Sequence, residues 1–265
     1  MLLRESLVAA TIGAVLVAGS PTSSRVDVVP NFGPGRHFLL VDAAGDGRAV
    51  EAIGDVSTAE RIVVVVPGSD TTLANFDRGL GGVARRAPAV QARNVYAAML
   101  STSPGAKVAV IAWLGYDPPE GLGLAAVRQD RAEAGARELT RFIASLPPNA
   151  TVTLVGHSYG SVVVGLAAPS LGPQVTDIVA LASPGMGAST VSDLRTSAHV
   201  WTAIAAHDWI RRVPRVSFAG FGHGPLPADA RPLPTDGVDG HDGYLVPGSS
   251  TLEALIDIVL SGHRS

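Results

Sequence analysis

The chain contains no cysteine, which removes disulfides, thiolate nucleophiles and cysteine-ligated zinc from consideration. It has one lysine, Lys107, so its basic side chains are almost all arginine. With so much Ala, Val and Gly, that bias marks a GC-rich bacterial coding sequence and carries no mechanism. Charge is scarce as well: 16% of residues are Asp, Glu, Lys or Arg, and the formal net charge is −3. No basic footprint is present, so nucleic acid is not an expected partner. No phosphate-binding loop, dinucleotide fingerprint or metal-ligand cluster appears, so neither cofactor nor metal is expected. Gly79-Leu80-Gly81-Gly82 follows no strand and reads as a bend.

Long apolar runs are also missing. The run from Leu7 to Gly19 is 13 residues by count, too short to span a bilayer as a helix. Arg4 before it and Ser20-Pro21-Thr22-Ser23-Ser24 after it give residues 1–25 the outline of a signal peptide or N-terminal hydrophobic anchor. Export or cell-surface attachment is the expectation, with peripheral membrane or envelope association. The alternative is an uncleaved helix on a cytoplasmic protein. Residues 26–265 are read as one domain, since 265 residues with 46% hydrophobic content can bury one large core.

What is present is an alternation of apolar strands and helical stretches. His37–Val41 and Ala49–Ile53 read as a hairpin around Gly45-Asp46-Gly47. Arg61–Val66 (RIVVVV) and Lys107–Trp113 (KVAVIAW) are continuous runs of the kind buried on both faces of a sheet. Residues 71 to about 100 read as partly helical, broken by Gly79, Gly81-Gly82 and Pro88, and able to cover a site. An amphipathic helix is expected over Leu124–Leu146, stopped by Pro147-Pro148. Thr151–Val155, Asp177–Ala182 and His199–Ala205 are further strands, with a short piece of one near Arg231 in the Pro/Gly-rich stretch 214–240. Ser250-x-x-Glu253 reads as a capping box opening a last helix, Leu252–Leu260. The pattern predicts an α/β three-layer sandwich with a mostly parallel central sheet.

The chain is organised around Thr151–Pro169. A strand runs into Gly156-His157-Ser158-Tyr159-Gly160 and then into a small-residue helix. That is the order a nucleophile elbow requires, with Ser158 on a strained turn and glycines where side chains would collide with the neighbouring strand and helix. A serine hydroxyl needs a base, and the base an orienting acid. Asp208, just past a strand, is placed for the acid and doubles as an N-cap before Trp209. Asp177 sits at a strand start, Asp193 in a helix or loop, and Asp236 and Asp239 in the irregular stretch. His241, on a glycine-flanked loop before the last helix, is the preferred base, and His223 is the rival. His157 is read as packing or hydrogen bonding inside the elbow. The oxyanion of acyl transfer needs two backbone donors, assigned to the N–H groups of Tyr159 and Ser69. Asp70 beside Ser69 is expected to cap the next helix through Thr72 or Leu73.

The elbow Gly156–Ser161, the segment Ala182–Gly187, the turn Trp113–Tyr116 and the loop Gly240–Leu245 resemble an actinobacterial α/β-hydrolase family of unassigned function. The resemblance covers roughly Arg61 to the C-terminus, although Pro67-Gly68 stands where many hydrolases carry His-Gly. It implies a serine hydrolase with a Ser158, Asp208 and His241 triad. The reaction expected is cleavage of a small-molecule or lipid-like acyl ester through an acyl-enzyme. A non-catalytic α/β-hydrolase fold serving as an envelope binding module is the alternative.

Overall fold

The structure, a computed structural model, describes residues 32–121, 128–216 and 222–262. The expected leader, residues 1–25, lies outside them. Eight strands form one sheet in the order β1-β2-β4-β3-β5-β6-β7-β8. They are β1 His37–Asp42, β2 Arg48–Ile53, β3 Arg61–Val66, β4 Val108–Leu114, β5 Thr151–His157, β6 Val175–Leu181, β7 His199–Ala203 and the two-residue β8 Arg231–Pro232. β1 pairs antiparallel with β2 and β2 with β4, and every other pairing is parallel. The expected mostly parallel sandwich is what forms.

The β-branched runs explain the layering. On β3, Ile62, Val64 and Val66 point to one face, while Val63 and Val65 point to the other. All five are fully buried, each contributing roughly 1.5–3 kcal/mol by leaving water. The first face is covered by α2 (Asp130–Ala144) and α3 (Tyr159–Ala167), the second by α1 (Pro88–Thr102) and α4 (Ser250–Ser261). Every parallel strand thus delivers its carboxyl end to one edge of the sheet, where the loops that carry function gather.

Several boundaries differ from the sequence reading. Pro88 opens α1 at its first position rather than breaking a helix; there its missing N–H has no partner to lose. The last helix is capped one residue earlier than expected. Ser249 has extended backbone angles and its side chain accepts from the Leu252 N–H, while the Ser250 hydroxyl donates to the Asp236 carbonyl. α2 is first described at Asp130, and residues 122–127 of its expected start lie outside the described residues. The bend expected at Gly79–Gly82 is a short 3₁₀ turn with positive φ at Gly79, Gly81 and Gly82.

Candidate active site

Ser158 stands between the end of β5 and the start of α3 with φ 53° and ψ −126°, a backbone conformation costly for a residue with a side chain. Packing enforces it. A Cβ on Gly160 would lie 2.2 Å from the Val66 carbonyl oxygen, and one on Gly156 would lie 2.6 Å from the Ser161 Cα. A Cβ on Gly68 would lie 2.7 Å from the Ser158 Cβ. The turn after β3 and the turn after β5 therefore touch backbone to backbone. The Ser158 N–H donates to the Leu181 carbonyl, and its own carbonyl accepts from the N–H and hydroxyl of Ser161. Ser161 in turn meets the Ser183 hydroxyl at 2.7 Å, which links the elbow to the loop after β6.

The other side of the site is polar. The Ser158 Oγ is 3.0 Å from Nε2 of His241, and Nδ1 of His241 is 2.8 Å from Oδ1 of Asp208. Asp208 follows β7 and caps the short turn Trp209–Arg212, accepting the Ile210 N–H on the same oxygen. Its second oxygen accepts the Tyr244 hydroxyl at 2.6 Å, and that hydroxyl accepts the Ala205 N–H. Burial works to raise the Asp208 carboxyl. The hydrogen bonds from His241, Tyr244 and Ile210 outweigh it and hold the group below its ordinary value. Burial, and then the Asp208 carboxylate, push the Tyr244 phenol up, so it remains a donor.

His241 rides on the 3₁₀ turn Gly240–Asp242. The Trp209 ring lies 4.5 Å from its imidazole, centroid to centroid. On the inner side the ring of His157 lies 4.9 Å away, and its Nε2 is 2.7 Å from the His241 carbonyl oxygen. That carbonyl can only accept, so His157 donates. The rival base, His223, is buried edge-on against the Tyr159 ring at 5.3 Å. The imidazole within hydrogen-bond reach of Ser158 is that of His241, not that of His223.

The line of side chains opens into a cleft of about 410 Å³ lined by Ser158, His241, Ser69, Trp209, Leu80 and Arg86, among others. Ser69 belongs to the turn after β3. Tyr159 is the first residue of α3, so its N–H is one of the helix-start donors without an intrahelical acceptor. The Tyr116 hydroxyl donates to the Pro67 carbonyl at 2.7 Å and props this turn from behind. Asp70 does not cap through Thr72 or Leu73, as expected from the sequence. Its carboxylate accepts the Gly121 N–H instead, the Thr72 N–H goes to Asn75, and the Leu73 N–H goes to the Asp46 carbonyl. With φ at 61°, Asp70 turns its side chain toward the loop after β4.

Sequence reasoning missed Tyr244, Trp209 and Tyr116. Tyr244 and Tyr116 entered it only inside the stretches that carry the resemblance, and Trp209 only as the residue after Asp208, so none was given a role. Among the described residues no group of His, Asp and Glu is arranged to hold a metal, and no helix is long and apolar enough to cross a membrane.

The family profile described as "Alpha/beta hydrolase" matches residues 42–218, a span that includes Ser158 and Asp208 and ends before His241. The uncharacterized protein Rv0963c of Mycobacterium tuberculosis (strain ATCC 25618 / H37Rv) is 35% identical over 207 residues, covering 72% of this chain and 74% of that protein. Uncharacterized protein Rv2079 of the same strain is 28% identical over 260 residues, which is 83% of this chain and 38% of the relative. Among solved structures, a carboxylesterase from Mesorhizobium loti shares 15% identity over 84% of this chain and 98% of its own, with a TM-score of 0.48. A lidless α/β serine hydrolase from Xanthomonas campestris shares 17% identity over 88% and 95%, with a TM-score of 0.43. The profile spans more than half of the sequence, and its match agrees with the strand order and the elbow described above: this chain belongs to the alpha/beta hydrolase family.

Proposed function

We propose that this protein is a serine hydrolase that cleaves a carboxylic ester through an acyl-enzyme on Ser158. The observation that carries the reading is the unbroken line from Ser158 through His241 to Asp208, at 3.0 and 2.8 Å. Nε2 of His241 accepts the Ser158 proton as Oγ attacks the acyl carbon. Asp208 fixes the imidazole with its proton on Nδ1 and stabilises the imidazolium that forms. The N–H groups of Tyr159 and Ser69 receive the oxyanion. His241 then hands the proton to the departing alcohol, and a water molecule repeats the sequence to free the acid and restore Ser158.

The cleft supports the substrate class. Leu80 and Trp209, two of the few exposed large apolar side chains, both line it, and Arg85, Arg86, Asp70 and Asp242 ring them with charges of both signs. An uncharged acyl ester with an apolar portion laid along Leu80 and Trp209 suits that surface, whether a small molecule or a lipid-like one. The N-terminal run adds the proposal that the enzyme works outside the cell or at its surface.

A fluorophosphonate probe tests the chemistry. The folded protein is expected to be labelled on Ser158, and Ser158→Ala to abolish both labelling and hydrolysis of p-nitrophenyl esters of graded chain length, a loss of about 10⁶-fold in kcat. Folded wild-type protein that takes no probe and cleaves no ester overturns the reading in favour of a binding module on the same fold.

A further inference from the structure

His157 is the last residue of β5, immediately before the nucleophile, and only 8% of it is exposed. Its side chain does not touch the Ser158 hydroxyl through any hydrogen bond of the line described above. It reaches across to the main chain of the other half of the site, donating Nε2–H to the carbonyl of His241 at 2.7 Å. The two bonds made by the His241 imidazole, to Ser158 and Asp208, orient its ring. They do not fix the main chain that carries it, a three-residue turn in a stretch whose only strand among the described residues is the two-residue β8. The His157 bond does, and it starts from the residue covalently joined to Ser158. A rotation of the turn that withdrew the imidazole from Ser158 would first have to break it.

We infer that His157 is a positioning residue, holding the main chain of the His241 turn so that the imidazole stays within hydrogen-bond reach of Ser158. The inference rests on the reading of His241 as the base. Its chemistry also accounts for a histidine here. Burial, and then the adjacent His241, push the His157 ring down to about 4, so at neutral pH it donates as an uncharged group. An arginine or lysine could donate as well, but would set a positive charge beside the imidazolium that forms on His241 during each half-reaction. A serine or threonine would be too short to span from β5 to the turn.

Two measurements on the full chain test this. Long-range ¹⁵N–¹H spectra of the wild-type protein report the tautomer of each ring. The expected result is a neutral His157 with its proton on Nε2 at about pH 7. A proton on Nδ1 would overturn the inference without any variant having to fold. The second measurement is kinetic, on whichever p-nitrophenyl ester the wild type cleaves best. His157→Leu, which fills the space without a donor, is expected to lower kcat about 100-fold with KM changed less than about twofold. His157→Gln, whose amide N–H approaches the position of Nε2, is expected to recover to within about fivefold of wild type. Wild-type kcat in a folded Leu variant, or equal losses in folded Gln and Leu variants, would overturn it. A wild type that neither cleaves ester nor takes fluorophosphonate overturns the esterase reading instead, which keeps the two failures apart.

Discussion

The two sides of the cleft are held by different physics. On the elbow side, Ser158 is fixed by steric exclusion: strand ends, helix start and the turn at Gly68 approach so closely that three glycines leave no room for a Cβ. On the opposite side, Asp208 and His241 lie beyond β7 and β8, where regular structure thins out among the described residues, and polar side chains hold them. A shape-determined site tolerates no added atom, whereas a polar one tolerates isosteric change in structure but not in chemistry. Substitutions on the two sides are therefore expected to fail in different ways, one through the fold and the other through the rate.

Asp208→Asn probes the polar side and carries the larger effect. The amide keeps the shape of the carboxylate but loses the charge that stabilises imidazolium, and it competes for the tautomer of His241. Ester hydrolysis is expected to fall about 10⁴-fold in kcat while the thermal midpoint stays within a few degrees. A folded variant that retained a tenth of wild-type activity would show that Asp208 is a cap and not the orienting acid. Gly160→Ala probes the steric side. The new methyl group would sit 2.2 Å from the Val66 oxygen and 2.6 Å from that of Pro67, both main-chain atoms of a buried turn that cannot move aside without dislodging β3. A loss of about 3 kcal/mol or more in urea unfolding is expected, with activity per folded molecule changed less than in Asp208→Asn. If alanine is accommodated without loss, the elbow is looser than its packing implies and the comparison collapses.

The same contrast decides what could be read from the sequence. The elbow was legible because its strand, turn and helix are contiguous and its glycines report their own crowding. The place of Asp208 beside His241 was legible because β7 stands out as an apolar run and Asp208 lies just past its end. What holds these residues was not. Tyr244 reaches Asp208 across 36 positions and Tyr116 reaches Pro67 across 49, and no local pattern announces such pairings. Asp70 shows the same limit from the other direction. A helix cap through Thr72 or Leu73 is the local expectation, yet its carboxylate accepts the N–H of Gly121, 51 positions on. Pro88 and Ser249 show how competing local signals shift a boundary. A proline after a broken stretch reads as one more break but opens α1, and of two adjacent serines the one with a glutamate three residues later has the capping pattern, although the tertiary bond to Asp236 draws Ser250 away.

His157 joins the two sides, and acidification measures that link. Its ring is lowered from an ordinary 6.5 to about 4, by burial first and by His241 second. Between those values the unfolded chain binds a proton that the folded chain does not, so stability is complete above about 6.5, declines as pH falls, and levels off near 4. The loss is on the order of 3 kcal/mol. Asp208, also lowered in the folded state, adds a further loss below its ordinary value of 3.8, in a separate window. His157→Gln is expected to remove the upper step and leave the lower one. Urea midpoints at about pH 7 and about pH 4.5 report this directly, and equal acid losses in the variant and the wild type would assign the upper step to another group.

The smallest effect is expected from the solvent side of the same turn. Nε of Arg86 meets Oδ2 of Asp242 at 2.7 Å, beside His241, with the arginine side chain 38% exposed. Both Arg86 and His157 thus grip the Gly240–Asp242 turn, one from water and one from the interior. An ion pair this exposed contributes at most about 1 kcal/mol and is screened by salt, whereas the bond from His157 is shielded from both. Arg86→Ala is accordingly expected to change kcat no more than about threefold, with the difference from wild type shrinking further at about 1 M salt. A loss matching that of His157→Leu would mean that the turn is fastened from outside, and that the base is aligned by a surface contact rather than by the residue next to the nucleophile.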